Sequence, residues 1–417
     1  MAEPTVHLPS VSFGRGADIW RLEPGEYEKL EAGFKRLSKR SLLMAGIDDV
    51  VIVDSPVSGE YIDRLRALNA GGARRMVPSF SGGSCLSEDV AASPELVDFL
   101  RKWDGAIEVY MPSRAEEALA EKVGRPICAV SPDVVELLND KMFFLRLIED
   151  LGAPMIETFA GNSDAMAERI RRLGAKPVII RSSNSVGGSG VWVIRDAAER
   201  AKALADMDKM GRDRLFLLQP LVDTLISPNL QFYVGPERVR LFAETAQVMT
   251  PALEHTGNMF DRIDDAETRD ELIRQGSALA LEAASLGYRG VMGVDFVVTR
   301  ENKVYAVEIN ARHNTSTHAA WFLNRFYSGG DPYAMIEPGK AAYLRLDSRR
   351  DLRAMEWIEL LGDDVFDPDS GAGVMPYDTG GEFCAVIAGR DTEERRRLIG
   401  RVRSLCGAPG GMRAAGG

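Results

Sequence analysis

At 417 residues the chain is too long for one ordinary hydrophobic core, so two to four structural units are expected. Hydrophobic residues make up 45% and charged residues 27%, which suits a folded globular protein and excludes a disordered one. The formal charge is −11 with no long basic run, which argues against nucleic acid and anionic membranes as partners and requires any phosphate site to gather its basic residues locally.

The opening Met1-Ala-Glu-Pro-Thr-Val-His7 lacks the charged and apolar regions of a secretory leader. No segment offers ~18 uninterrupted apolar residues, so a cytoplasmic location is expected. Residues 1–130 read as an α/β unit, with 50–53 as a buried strand, 59–68 as a helix, and 106–110 and 127–130 as further strands. Such alternation points to a parallel sheet. Ser81-Gly-Gly-Ser84 is either an ordinary loop or the lining of a substrate site. Cys85 follows it without a nearby His or a strand-turn-helix context, so a buried or loop thiol is expected rather than a nucleophile. With Cys128, Cys384 and Cys406 it matches no metal spacing and no disulfide framework.

Asp140-Lys141 opens a helix at Met142-Phe-Phe-Leu-Arg-Leu-Ile148. Residues 177–180 and 191–194 are short apolar strands, and between them lies Arg181-Ser-Ser-Asn-Ser185-Val-Gly187-Gly188-Ser-Gly190. Successive N–H groups in such a hairpin loop form an anion-binding concavity, and glycine lets the backbone approach phosphate closely. This is not a Walker motif, since no Gly-Lys-Ser/Thr follows. Arg181, on the strand entering the loop, could hold phosphate oxygens bidentately; the alternatives are a mobile surface loop and a surface arginine. A strand at 215–218 then leads into Gln219-Pro-Leu-Val222.

Residues 296–298 and 304–307 flank Glu301-Asn302 as β-branched or aromatic runs and predict a hairpin. A two- or four-residue turn centred there sets Asp295 opposite Glu308, with Asn310 on the same face. Facing carboxylates destabilise an antiparallel pair unless something neutralises them. A hard cation would do so, and Mg²⁺ typically takes one or two carboxylates plus substrate phosphates; a solvent-facing edge with incidental acids is the alternative. Arg312 follows, then His313 and His318. His313 could deprotonate an attacking amine, or belong to a helix-start cap with residues 315–317. Arg240, Glu244 and Arg289 are further candidates for an acceptor pocket.

After an apolar run at 321–327, Gly329-Gly-Asp-Pro332 marks a boundary. Beyond it, 353–361 reads as a helix, 373–376 and 382–387 as strands, 392–405 as a helix, and 407–417 as a flexible tail. No internal repeat is visible.

The ordered set of Asp140-Lys141, the Arg181 strand with its glycine loop, Gln219 to Val222, Asp295, Glu308-Ile-Asn310 and Arg312 resembles the ATP-grasp superfamily of carboxylate–amine ligases, over about 107–323. The resemblance implies an ATP-grasp fold of mixed α/β and α+β character. A pre-ATP-grasp domain would occupy 1–130, the ATP-grasp domain 131–330, a small C-terminal α+β domain 331–406, and a tail 407–417. It implies ATP and Mg²⁺, with Lys141, Arg181, Ser185, Gly187 and Gly188 at the phosphates and Gln219 and Val222 at adenine. Asn229 or Asp223 would lie at the ribose, and Asp295, Glu308 and Asn310 on the metal. Arg312 would meet the substrate carboxylate or the transferred phosphoryl group. The reaction implied joins a small carboxylate to an amine or peptide through an acyl phosphate, releasing ADP and phosphate. The layout further resembles peptide ligases of the pheganomycin type, in which a guanidino-bearing acid is joined to a peptide N-terminus. A kinase of the same fold and a non-catalytic nucleotide-binding scaffold are the competing readings, and a homodimer would be ordinary.

Overall fold

The computed structural model describes residues 4–12, 24–174, 176–183, 190–210, 214–250, 254–379 and 382–407. The chain builds three sheets in sequence. In the first, β1 (Val6–Leu8), β2 (Val50–Ile52), β3 (Arg74–Met76) and β4 (Ile107–Val109) run parallel in the order β3-β2-β1-β4. Val6, Leu8, Val50 and Ile52 form its core with Leu86, Leu96, Leu100 and Leu119 from the surrounding helices. The parallel sheet was expected, but β1 and β3 were not anticipated. Three residues carry almost no periodic signal, and β1 holds its inner place because β2 and β4 pair with it on either side. Residues 127–130 form no strand. Ile127 and Val130 are buried, but Ser131 caps the next helix with Pro132 in its first turn, so the chain turns instead of pairing.

The second sheet is antiparallel and contains β5 (Phe159–Gly161), β6 (Val178–Ser182), β7 (Val191–Ile194) and β8 (Phe216–Pro220) in the order β5-β8-β6-β7. Helices Ser163–Leu173 and Ala197–Met210 pack against it through Met166, Ile170, Ala203 and Met207, which meet Ile180, Phe216 and Leu218.

The third sheet has nine strands: β9 (Thr224–Ile226), β10 (Pro228–Val234), β11 (Val239–Met249), β12 (His255–Met259), β13 (Gly290–Thr299), β14 (Val304–Asn310), β15 (Ala341–Asp347), β16 (Gly373–Tyr377) and β17 (Glu382–Ala388). Their order is β14-β13-β10-β11-β12-β15-β17-β16, with β9 beside β13. Helix Ala266–Ser285, started by the Asp265 side chain on the Thr268 N–H, covers one face. Its Leu272, Leu279, Ala280 and Ala283 join Leu230, Phe232, Val294 and Phe296 in one core. Because strand side chains alternate, Val291 and Asp295 lie on the opposite face. There Val291 packs with helix Thr317–Tyr327 and with the N-terminal segment around Leu42, Val51 and Tyr61.

Residues 331–406, expected as a small separate α+β unit, contribute β15, β16 and β17 to this same sheet. The join is the β12–β15 pairing of Gly257 with Leu344, Asn258 with Tyr343 and Met259 with Ala342.

Candidate active site

The hairpin of β13 and β14 closes through residues 300–302 rather than through an even-numbered turn: Thr299 N–H donates to Lys303 O and Asn302 N–H to Thr299 O. Asn302 takes the left-handed conformation, φ 59°, which asparagine tolerates. This puts Phe296 opposite Ala306 and would throw the acids out of register. A bulge between Asp295 and Phe296, with Val307 as the extra residue, restores the pairing of Asp295 with Glu308 and of Gly293 with Asn310. The predicted face is correct, but turn and bulge reach it together.

Asp295 is held by three amides. Its Oδ2 accepts from Asn310 Nδ2 at 3.0 Å, and its Oδ1 from Asn229 Nδ2 at 2.6 Å and Gln247 Nε2 at 2.8 Å. Burial and the facing Glu308 push its pKa up to about 7. Burial would raise Glu308 as well, but Lys141, with Nζ at 3.2 Å, and Arg181 outweigh it and hold Glu308 down at about 2. Glu308 is thus the readily charged, paired acid, and Asp295 is the one that holds its proton more tightly than an ordinary carboxylate. A divalent cation would remove that frustration, and Asn229 Oδ1, buried without a hydrogen-bond partner, adds an orphan acceptor beside the pair. Among the described residues no three His, Cys, Asp or Glu converge. Two carboxylates and the Asn310 amide are a donor set that suits Mg²⁺ completing its shell with phosphate oxygens.

Lys141 begins helix Lys141–Asp150, whose first turn is fixed by Asp140 Oδ1 accepting from Phe143 N–H at 2.7 Å. Its own N–H donates to Ser183 O, so the helix start sits at the mouth of the β6–β7 hairpin. Ser185, Gly187 and Gly188 lie outside the described residues. Arg181 reaches across from β6 to β14, donating from Nη1 to Val307 O at 3.3 Å and from Nη2 to Gln219 Oε1 at 2.9 Å. Gln219 Nε2 donates to Thr158 Oγ1. The Gln219 carbonyl expected to face an adenine amine is therefore already occupied by Arg181. Val222 lies half-buried between β8 and β9. Asp223 is exposed and pairs with Arg300, whereas Asn229 is buried on β10 directly across from Asp295. Asn229, one of the two candidates for the ribose, thus stands directly against the carboxylates.

On the other side of the acids, Arg312 donates from Nη2 to Asn310 Oδ1 at 2.6 Å and from Nη1 to His313 O. Its loop is fixed by Asn314, whose Nδ2 donates to Arg312 O and whose Oδ1 accepts from Asn229. Asn314 lies where a side chain at 293 would stand: a Cβ there would be 2.2 Å from Asn314 Oδ1, which explains Gly293. His313 is buried and Nε2 lies 2.5 Å from Glu108 Oε1 of β4, so the N-terminal sheet is tied to this loop. It does not cap the next helix, where Thr317 Oγ1 accepts from Asn314 N–H instead.

A polar row continues across the sheet. Thr245 faces Asn229, Asn258 Nδ2 donates to Thr245 Oγ1, and His255 Nε2 lies 2.9 Å from Asn258 Oδ1. Burial lowers His255 to about 4, and Arg312 adds to the effect. Gln247, Asn258 and His255 were not foreseen, because only strand pairing brings them to the acids. Arg240 pairs with Asp331, Glu244 pairs with Arg269 through Oε2 while its Oε1 is buried without a hydrogen-bond partner, and Arg289 donates to Ala284 O. Cys85 is buried with its pKa pushed up to about 12, as expected for a thiol that does no chemistry.

Two α+β sheets flank a partly buried Asp–Glu–Asn set, with a lysine and an arginine on one side and an arginine on the other, in an ATP-grasp fold. Residues 162–310 match the model of the family described as L-aspartate--L-methionine ligase, ATP grasp. The carbamoyl phosphate synthase large chain of Xylella fastidiosa is 25% identical over 209 residues, 48% of this chain and 19% of that one. That of Vibrio parahaemolyticus is 27% identical over 207 residues. The chain thus spans about one fifth of the length of these curated relatives. Over nearly full length the fold matches N5-carboxyaminoimidazole ribonucleotide synthetase in its ADP complex, with TM-score 0.59, 12% identity and 97% of each chain covered. It also matches the L-amino acid ligase of Bacillus licheniformis, with TM-score 0.57, 13% identity, and 96% and 98% of the two chains covered.

Proposed function

We propose that the protein is an ADP-forming carboxylate–amine ligase using ATP and Mg²⁺, with an amino acid as acyl donor and an amino acid or peptide N-terminus as acceptor. The observation that carries this reading is Arg312 held at 2.6 Å on the amide of the metal set, since it brings a fixed cation beside the atoms where phosphoryl transfer would occur. A carboxylate is a poor electrophile. Phosphorylating it creates an acyl phosphate that an amine can attack with loss of phosphate, and no protein nucleophile is needed. Bound Mg²⁺ would neutralise charge on the transferring phosphoryl group. Asp295, Glu308 and Asn310 would hold it, Lys141 and Arg181 would position the phosphates, and Arg312 would stabilise the acid's developing negative charge. An amino-acid donor is supported by the description of the matched family and by the likeness to an L-amino acid ligase. A peptide acceptor and the pheganomycin-type assignment rest on layout alone.

The test is to incubate the protein with Mg·ATP and a panel of amino acids and guanidino acids, with and without a peptide amine, and to identify the nucleotide formed. ADP and phosphate that depend on the acid and rise with the amine are expected. AMP with pyrophosphate would overturn the mechanism, and a phosphorylated acceptor without ligation would favour the kinase reading. Glu308→Gln is expected to lower turnover by about 10³-fold or more while keeping the fold, measured by circular dichroism.

A further inference from the structure

Arg40 lies in the short helical turn Leu37–Arg40 and is only 2% exposed. Among the described residues it makes no hydrogen bond and no ion pair, and its Nε is buried without a partner. Its guanidinium lies over the Tyr110 ring, 3.8 Å from the guanidinium carbon to the ring centre. The contrast with Arg395 is sharp, since that residue, 5% exposed, grips Asp261 with both Nη atoms at 2.7 and 3.0 Å. A buried guanidinium without a carboxylate costs several kcal/mol, so an unsatisfied one requires an explanation.

The surroundings supply cations and donors without a spare acid. His313 Nδ1 and Trp321 Nε1 are likewise buried without partners. Tyr110 stands 5.6 Å from the His313 ring, and His313 5.5 Å from Trp321, so these groups line one neighbourhood. Burial, and then the Arg40 charge, hold His318 well below its ordinary value, so it stays neutral. Glu108 is engaged with His313, and Asp54 with Ser38 and Lys39. The neighbourhood joins the proposed reaction centre through His313, which follows Arg312 directly and whose backbone N–H donates to Tyr110 O.

We propose that Arg40 is the anion-recognition residue of the substrate pocket, receiving a second negatively charged group, carboxylate or phosphate, on the amino acid whose first carboxylate meets Arg312. The guanidinium gains the bidentate partner it lacks, and Trp321 and His318 supply neighbouring donors. A guanidino-bearing acid would meet like charge there, so the inference sets this pocket apart from one built for a cationic donor. It rests on the ligase reading for the identity of the pocket, but it is tested by binding rather than turnover.

The experiment titrates wild type and Arg40→Gln, saturated with the non-hydrolysable Mg·AMPPNP, with L-aspartate, L-glutamate, O-phospho-L-serine, L-asparagine, L-methionine and L-arginine in a calorimeter. Wild type is expected to bind at least one anionic acid about tenfold or more tighter than asparagine, and Arg40→Gln to lose that preference while binding AMPPNP as before. The stronger of the aspartate–glutamate pair and phosphoserine tells carboxylate from phosphate. Equal binding of aspartate, phosphoserine and asparagine by wild type, or an unchanged preference in Arg40→Gln, would overturn the proposal. If the variant fails to bind AMPPNP, the wild-type selectivity decides. Arg40-dependent binding without ADP release would keep the subsite and reject the ligase, whereas acid-dependent ADP release without anion preference would do the reverse.

Discussion

Asp295 shows how a side chain's environment reports its purpose. Its folded pKa, about 7, lies above the ordinary carboxylate value, so the folded state binds this proton more tightly than the unfolded chain does. In the metal-free protein this group's contribution is therefore full at low pH and is lost as pH rises from about 4 through 7. A cation must displace that proton. The expected outcome is that Mg²⁺ raises the melting temperature more at pH 8 than at pH 6, and that Asp295→Asn removes the difference; a Mg²⁺ shift independent of pH would contradict it. The acids, Lys141 and Arg312 were readable in the sequence because they lie within short, ordered motifs. Gln247 was not, and Asn229 was read as a ribose contact rather than as a partner of Asp295, since the two lie 48 and 66 residues away from it and meet it only through pairing. Arg40 left no mark at all, because a lone arginine in a polar stretch reads as surface.

At the scale of elements, the β13–β14 hairpin combines two irregularities that cancel. Asn302→Ala should destabilise the protein by about 1–2 kcal/mol through the left-handed turn position, whereas Asn302→Gly should cost little. Unfolding midpoints in urea would check this, and a loss of Mg²⁺ binding in Asn302→Gly would show that turn and site are not separable. Deleting Val307 would remove the bulge alone, because with Phe296 still opposite Ala306 a regular ladder again sets Glu308 opposite Asp295. The sequence predicted the facing acids through a turn of the wrong length; local patterns cannot reveal a bulge whose only signature is one surplus residue. Likewise, 127–130 has strand composition, but Ser131 and Pro132 start a helix too soon for pairing.

Across the whole molecule, neutral histidines buried at the centre make stability sensitive to acid. Burial lowers His255 to about 4 and holds His318 well below its ordinary value, so the unfolded chain takes up protons that the folded one refuses. Their contribution is complete above about pH 6.5 and is lost as pH falls toward 4. The urea midpoint of wild type should therefore drop between pH 7 and pH 5 by more than that of His255→Gln, and identical slopes would contradict the assignment. The division read from the sequence set one unit at 1–130, where the chain builds its parallel sheet, and another at 131–330, which carries the second sheet and most of the third. It missed the continuity of the last part, because the turn at Gly329-Gly-Asp-Pro332 looks like a border while the strands beyond it still find an open edge on β12.

That continuity bears on anyone who would shorten this protein. Stopping the chain near residue 331, where composition invites a cut, would strip β15 from β12 and leave Gly257, Asn258 and Met259 with a bare row of backbone groups. An unpaired edge in the middle of a large sheet is a template for another chain. A fragment made to isolate nucleotide binding would then pair with its own copies and precipitate, and useful division of the molecule would have to fall elsewhere.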